Sequence, residues 1–77
     1  MRLYKNIESN PNVMFGKPVI KGTRVTVEFI LRKLSVGLSA EEIVAEHPTI
    51  TTADVREAQV YAADLLAGEE IYFAESA

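Results

Sequence analysis

A chain of 77 residues, 48% apolar and 25% charged with a net charge of −3, has the makings of one small globular domain and excludes a disordered or collagen-like chain. It has no cysteine and a single histidine, His47, which excludes a disulfide framework, a thiolate zinc site and a cysteine nucleophile. No apolar run approaches the roughly 20 residues of a membrane helix, and Met1-Arg2-Leu3-Tyr4-Lys5-Asn6 has no apolar signal core, so a cytoplasmic protein without a membrane partner is expected. The charge is polarised. Residues 1–37 carry seven cations against two acids, net +5, whereas residues 38–77 carry Arg56 against nine acids, net −8. Such a chain has a basic end suited to an anionic partner and an acidic end suited to a basic one.

In chain order, residues 2–8 alternate weakly with Leu3, Lys5 and Ile7 on one side, which predicts a short edge strand. Asn10-Pro11-Asn12 is a turn signal, because proline fixes its own φ and asparagine tolerates left-handed backbone. Val13, Met14 and Phe15 follow as apolar anchors expected to pin the arm to the core. Val19-Ile20 and Arg24-Val25-Thr26, joined through Lys21-Gly22, read as a tight ribbon turn that presents Lys17, Lys21 and Arg24 together. A structural arm with solvated cations accounts for this spacing equally well. Gly16 and Gly22 are too sparse to cradle a phosphate.

Three helices are predicted next. Thr26 caps the first, whose Val27, Ile30, Leu31 and Leu34 recur at i, i+3, i+4 and i+7, and Gly37 ends it. Ser39 with Glu42 is a capping box, Leu38 and Ile43 form a hydrophobic staple, and the short second helix stops at His47-Pro48. His47 reads as a C-terminal cap, since no second imidazole exists to share a metal. Thr51 caps the third helix, with Asp54 in its first turn and a staple from Ile50 to Val55. Its expected apolar face is Val55, Ala58, Ala62, Leu65 and Leu66, and Gly68 stops it. The tail then carries Ile71, Tyr72 and Phe73, too much apolar area for an undocked terminus. These three either cover the core of their own or a sister subunit, or anchor a partner.

No Walker pattern, dinucleotide turn, metal-binding helix motif or nucleophile elbow occurs, so no catalytic residue, metal site or cofactor is expected. A nucleic-acid reading has more to hold. Three short helices with a Pro-containing turn before the third look like a homeodomain-like helix-turn-helix, with the third helix entering a major groove. Asp54 and Glu57 count against that helix, which leaves Lys17, Lys21, Thr23 and Arg24 of the arm, together with Arg56, as the candidate DNA-binding residues. One copy would bind weakly, so DNA binding predicts a homodimer or higher homo-oligomer.

Asn10-Pro11, the run from Gly16 to Val25, Gly37-Leu38-Ser39-Ala40-Glu41-Glu42-Ile43, Pro48, Thr51 to Ala58 and Tyr61-Ala62-Ala63 resemble the bacterial domain of unknown function 433 over about Ile7 to Leu66. Met14-Phe15-Gly16 departs from that pattern, standing where a Gly-Gly or similarly small pair is expected before the lysine. The resemblance implies a homeodomain-like trihelical fold with an N-terminal β arm. It also implies an antitoxin role in a type II toxin-antitoxin pair, with a PIN-like nuclease toxin from a neighbouring gene as partner. In some longer relatives this domain follows a separate DNA-binding segment. The chain is therefore read as one mainly α, homeodomain-like three-helix (helix-turn-helix) domain: a β arm over 1–25, a helical core over 26–68 and a tail over 69–77. It is expected to bind the toxin and double-stranded DNA, with Ile71, Tyr72 and Phe73 as candidate partner or dimer contacts. The alternative is a protein-interaction module that binds no DNA.

Overall fold

Each helix begins where a hydroxyl takes up an orphan backbone N–H. In the computed structural model, which describes residues 1–74, the Thr26 hydroxyl accepts from the Phe29 N–H at 2.9 Å and opens α1 (Val27–Ser35). Ser39 and Glu42 exchange hydrogen bonds of 3.1 and 2.9 Å at the head of α2 (Ala40–Glu46). Thr51 and Asp54 do the same, at 3.2 and 2.9 Å, for α3 (Thr52–Leu66). Two of the three helices end in Schellman geometry: the Leu38 N–H reaches the Lys33 carbonyl at 3.1 Å, and the Glu69 N–H reaches Asp64 at 3.0 Å. His47 caps α2, its ring edge-on to Phe29 with centroids 4.9 Å apart. No helix among the described residues is long and apolar enough to cross a membrane.

Two small sheets complete this mainly α fold. Strand β1 (Arg2–Tyr4) pairs in parallel with β4 (Ile71–Phe73), Leu3 opposite Tyr72, while β2 (Ile7–Glu8) pairs antiparallel with β3 (Val19–Ile20). The helices and both sheets close on one core of Tyr4, Ile7, Ile20, Val27, Ile30, Ile43, Ile50, Val55, Ala58 and Tyr61. At its centre the Tyr61 ring meets Tyr4 edge-on at 5.2 Å and stacks on Phe73 at 6.0 Å.

Four expectations need correction. Tyr4 and Ile7, not Leu3, Lys5 and Ile7, face inward, because a bend at Lys5-Asn6 splits the strand and resets its phase. The strand partner of Val19-Ile20 is Ile7-Glu8; the returning leg keeps only the Val19–Thr26 bridge, since Thr26 already caps α1. Phe15 is no anchor to the core, being 95% exposed, although Val13 and Met14 are half-buried. Leu65 and Leu66 are exposed and Tyr61 is buried. The period aims both leucines inward, but Leu65 borders an open groove between α1 and α3, and Leu66 is 89% exposed.

The tail docks on its own chain. Ile71 and Phe73 pack against the core, and Tyr72 faces out beside Leu3; Glu75, Ser76 and Ala77 of the expected tail lie outside the described residues. The Arg2 N–H bonds the Glu70 carbonyl and the Ala74 N–H the Tyr4 carbonyl, both at 2.8 Å, and the Tyr4 hydroxyl ties β1 to α3 by donating to the Asp64 carboxylate, with the Arg2 guanidinium 3.6 Å from the same oxygen. Burial, then the hydrogen bond and charge of Asp64, push the Tyr4 phenol up to about 12. A phenol whose folded pKa exceeds its unfolded value near 10 contributes stability in full below pH 10 and loses it as pH rises toward 12. Tyr4→Phe is therefore expected to be less stable than the parent at neutral pH and to show a shallower fall in denaturation midpoint between pH 10 and 12. Parallel slopes for the two proteins would contradict this.

Candidate nucleic-acid interface

The turn after β3 and one stripe of α3 carry the side chains suited to a polyanion. In the turn, the Ile20 N–H bonds the Val25 carbonyl at 2.9 Å and the Thr23 N–H returns to Ile20 at 3.0 Å. Gly22 sits at φ +78°, where an L side chain would be strained. The Gly22 N–H also bonds the Glu8 carboxylate at 3.1 Å, and the Lys21 N–H bonds the Asn6 carbonyl at 2.8 Å, so β2 clamps the turn. The Thr23 hydroxyl donates to the Ile20 carbonyl at 2.7 Å and accepts from the Val25 N–H at 3.0 Å. Thr23 thus shapes the turn.

Of the arm's cations, Lys17 stands apart from the other two. Its Nζ lies 3.0 Å from Glu28, whose second oxygen is 3.3 Å from Arg32. Hydrogen bonds from Lys17 and then Arg32 hold the Glu28 carboxyl below the usual carboxylate range. Among the described residues, neither half-buried Lys21 nor exposed Arg24 forms an ion pair, and both project from one turn.

On α3, Thr52, Arg56 and Gln59 are exposed at i, i+4 and i+7 and therefore share one stripe. They line a shallow depression of about 400 Å³ with Ala40 and Glu41 at the head of α2. The acids of this helix point elsewhere. Asp54 is held by the Thr51 N–H, and Glu57 has one carboxylate oxygen sealed from solvent in a second depression that it lines with Tyr4 and Arg56. Burial pushes the Glu57 carboxyl up against the opposing pull of the Asn6 N–H. Glu41 is the acid lining the depression. Gln59 is absent from the sequence-derived candidates, although its spacing of three from Arg56 was a legible signal.

The structure gathers Lys21, Thr23 and Arg24 on one turn and places Arg56 on the α3 stripe, while Lys17 is bound to α1 through Glu28. Ile71 and Phe73 belong to the core, and Tyr72 keeps an exposed face, its hydroxyl 2.8 Å from Glu70.

Residues 7–62 match the family described as "Protein of unknown function (DUF433)". An uncharacterized protein, y4eO of Sinorhizobium fredii (strain NBRC 101917 / NGR234), is 32% identical over 56 residues, which make up 73% of this chain and 25% of that protein. The chain thus spans about a quarter of that relative's length. No solved structure matches the chain.

Proposed function

The chain belongs to the DUF433 family, and from that premise we propose that it is an antitoxin-like regulator of a type II toxin-antitoxin pair, binding operator DNA and a PIN-like nuclease from a neighbouring gene. In this reading α2, the connection over 47–51 and α3 work as a homeodomain-like helix-turn-helix, with α3 in the major groove. One observation supports the DNA half above the others: Thr52, Arg56 and Gln59 form a polar stripe from which Asp54 and Glu57 are turned away. Arginine and glutamine are the side chains that pair bidentately with guanine and adenine edges. Lys21 and Arg24 supply phosphate contacts, and a two-fold dimer doubles them.

The toxin half draws on charge. Residues 38–77 carry nine acids against Arg56, a field complementary to the basic surface on which a ribonuclease holds RNA. Co-expression with the adjacent gene product tests it. A stable complex with suppressed nuclease activity is expected; a nuclease left fully active by an excess of this chain contradicts it. The outward pair Leu3 and Tyr72 favours a second reading, a protein-interaction module without DNA binding. Absence of promoter binding at low salt, together with an intact complex, selects that reading.

A further inference from the structure

Phe15 is 95% exposed, yet it is held in place. Its backbone lies at φ +59°, ψ +31°, between Met14 at φ +48° and Gly16 at φ +79°, a left-handed region that bulky residues rarely enter. Hydrogen bonds fix the segment on both sides. The Val13 and Asn12 N–H groups bond the carbonyl and side-chain oxygen of Asn10, both at 2.9 Å, and the Gly16 and Lys17 N–H groups bond Val13 and Met14, both at 3.1 Å. The Ser9 hydroxyl adds a bond to the Gly16 carbonyl. A rigid turn that carries strain to keep an aromatic ring in water has the form of an interface anchor.

A socket lies nearby. Between α1 and α3 runs an apolar groove of about 480 Å³ lined by Pro18, Val27, Leu31, Tyr61, Ala62 and Leu65. Pro18 is three residues from Phe15, so ring and groove are separated by at most about 10 Å of chain. Phe15 does not line its own groove and stands in solvent.

We propose that the groove is filled by Phe15 of a second copy, reciprocally across a two-fold axis. The inference rests on the dimeric state contained in the proposed function and names its interface. An isologous contact needs knob and socket on the same patch of surface, which the short link through Lys17 and Pro18 provides. Val36 and Leu66 are also largely exposed, at 73% and 89%. A standard interface buries about 800 Å² per partner, close to 15% of the 5212 Å² exposed here.

Sedimentation equilibrium over a concentration series tests the interface with Phe15→Asn, whose asparagine tolerates left-handed backbone, and with Leu65→Gln. Each is expected to raise the dimer dissociation constant at least tenfold. Phe15→Asn is also expected to leave the monomer's melting temperature equal or higher, which separates loss of the anchor from loss of the fold. An equimolar mixture of the two variants should associate more tightly than either alone, because one intact knob and socket survive in the mixed dimer. A wild-type chain that stays monomeric overturns both the dimer and its interface. A wild-type dimer whose dissociation constant is unmoved by Phe15→Asn overturns the interface alone.

Discussion

Tyr61→Ala is expected to cost about 3–5 kcal/mol, as large aromatic truncations in a packed core do. The ring is 5% exposed and bears on two other rings, Tyr4 from the first strand and Phe73 from the last. Its removal leaves a void between α3 and the β1–β4 sheet, and a two-stranded sheet has little stability of its own to resist opening. A chain of 77 residues has roughly 4–12 kcal/mol to lose, so this one change takes about a quarter or more of it. Urea denaturation followed by circular dichroism should show a midpoint far below that of the parent, whereas Tyr61→Phe, which keeps the ring, should stay within about 1 kcal/mol. A loss under about 1 kcal/mol for the alanine variant would place the tail outside the core.

Arg56→Ala should weaken binding to the chain's own promoter by about 1–3 kcal/mol, roughly 5- to 150-fold, and relax sequence preference at one base pair. The physical reason is the α3 stripe, where Arg56 stands between Thr52 and Gln59 with both nearby acids of α3 directed away. Lys21→Ala with Arg24→Ala should behave differently. These changes should lower affinity for every sequence alike and reduce the steepness of the salt dependence by about two phosphate contacts. Glu41→Gln, which removes a negative charge from the depression beside Arg56, should strengthen binding. Fluorescence anisotropy on promoter and scrambled duplexes at several salt concentrations reads all three. An Arg56→Ala effect equal on both duplexes would assign this side chain to phosphate rather than to a base.

What was legible in the sequence was local. Ser39 with Glu42, Thr51, Gly37 and Gly68 act through backbone groups within a few residues of themselves, so their spacing alone announces the helix ends. What was hidden depends on residues distant in the chain. The β1–β4 pairing joins Arg2 to Ile71, and no pattern within either segment announces the other. The burial of Tyr61 follows from that pairing, as does the docking of Ile71 and Phe73. Leu65 and Leu66 carry the right period for a core, but the groove between α1 and α3 beside Leu65 stays open and Leu66 is 89% exposed.

The candidate site divides along the same line. Lys21, Thr23 and Arg24 were readable as one turn because Gly22 marks it. The inward rotation of Glu57 was not, because it depends on Tyr4 and Asn6 arriving from the other end of the chain. That rotation seals one Glu57 oxygen from solvent, although the side chain still borders Arg56. The aromatic ring at position 15, an expected core anchor, became instead the most exposed of the large apolar side chains and the knob of the inferred dimer.

In the proposed function, the turn at residues 21–24 and the Thr52–Arg56–Gln59 stripe both contact nucleic acid. Titrating the ¹⁵N-labelled chain with its own promoter duplex at low salt, and following backbone amide shifts by NMR, tests it most directly. Saturable shifts centred on residues 21–24 and 52–59, fading as salt is raised, are expected. Shifts absent throughout, or confined to the α1–α3 groove and the Leu3–Tyr72 face, would contradict it.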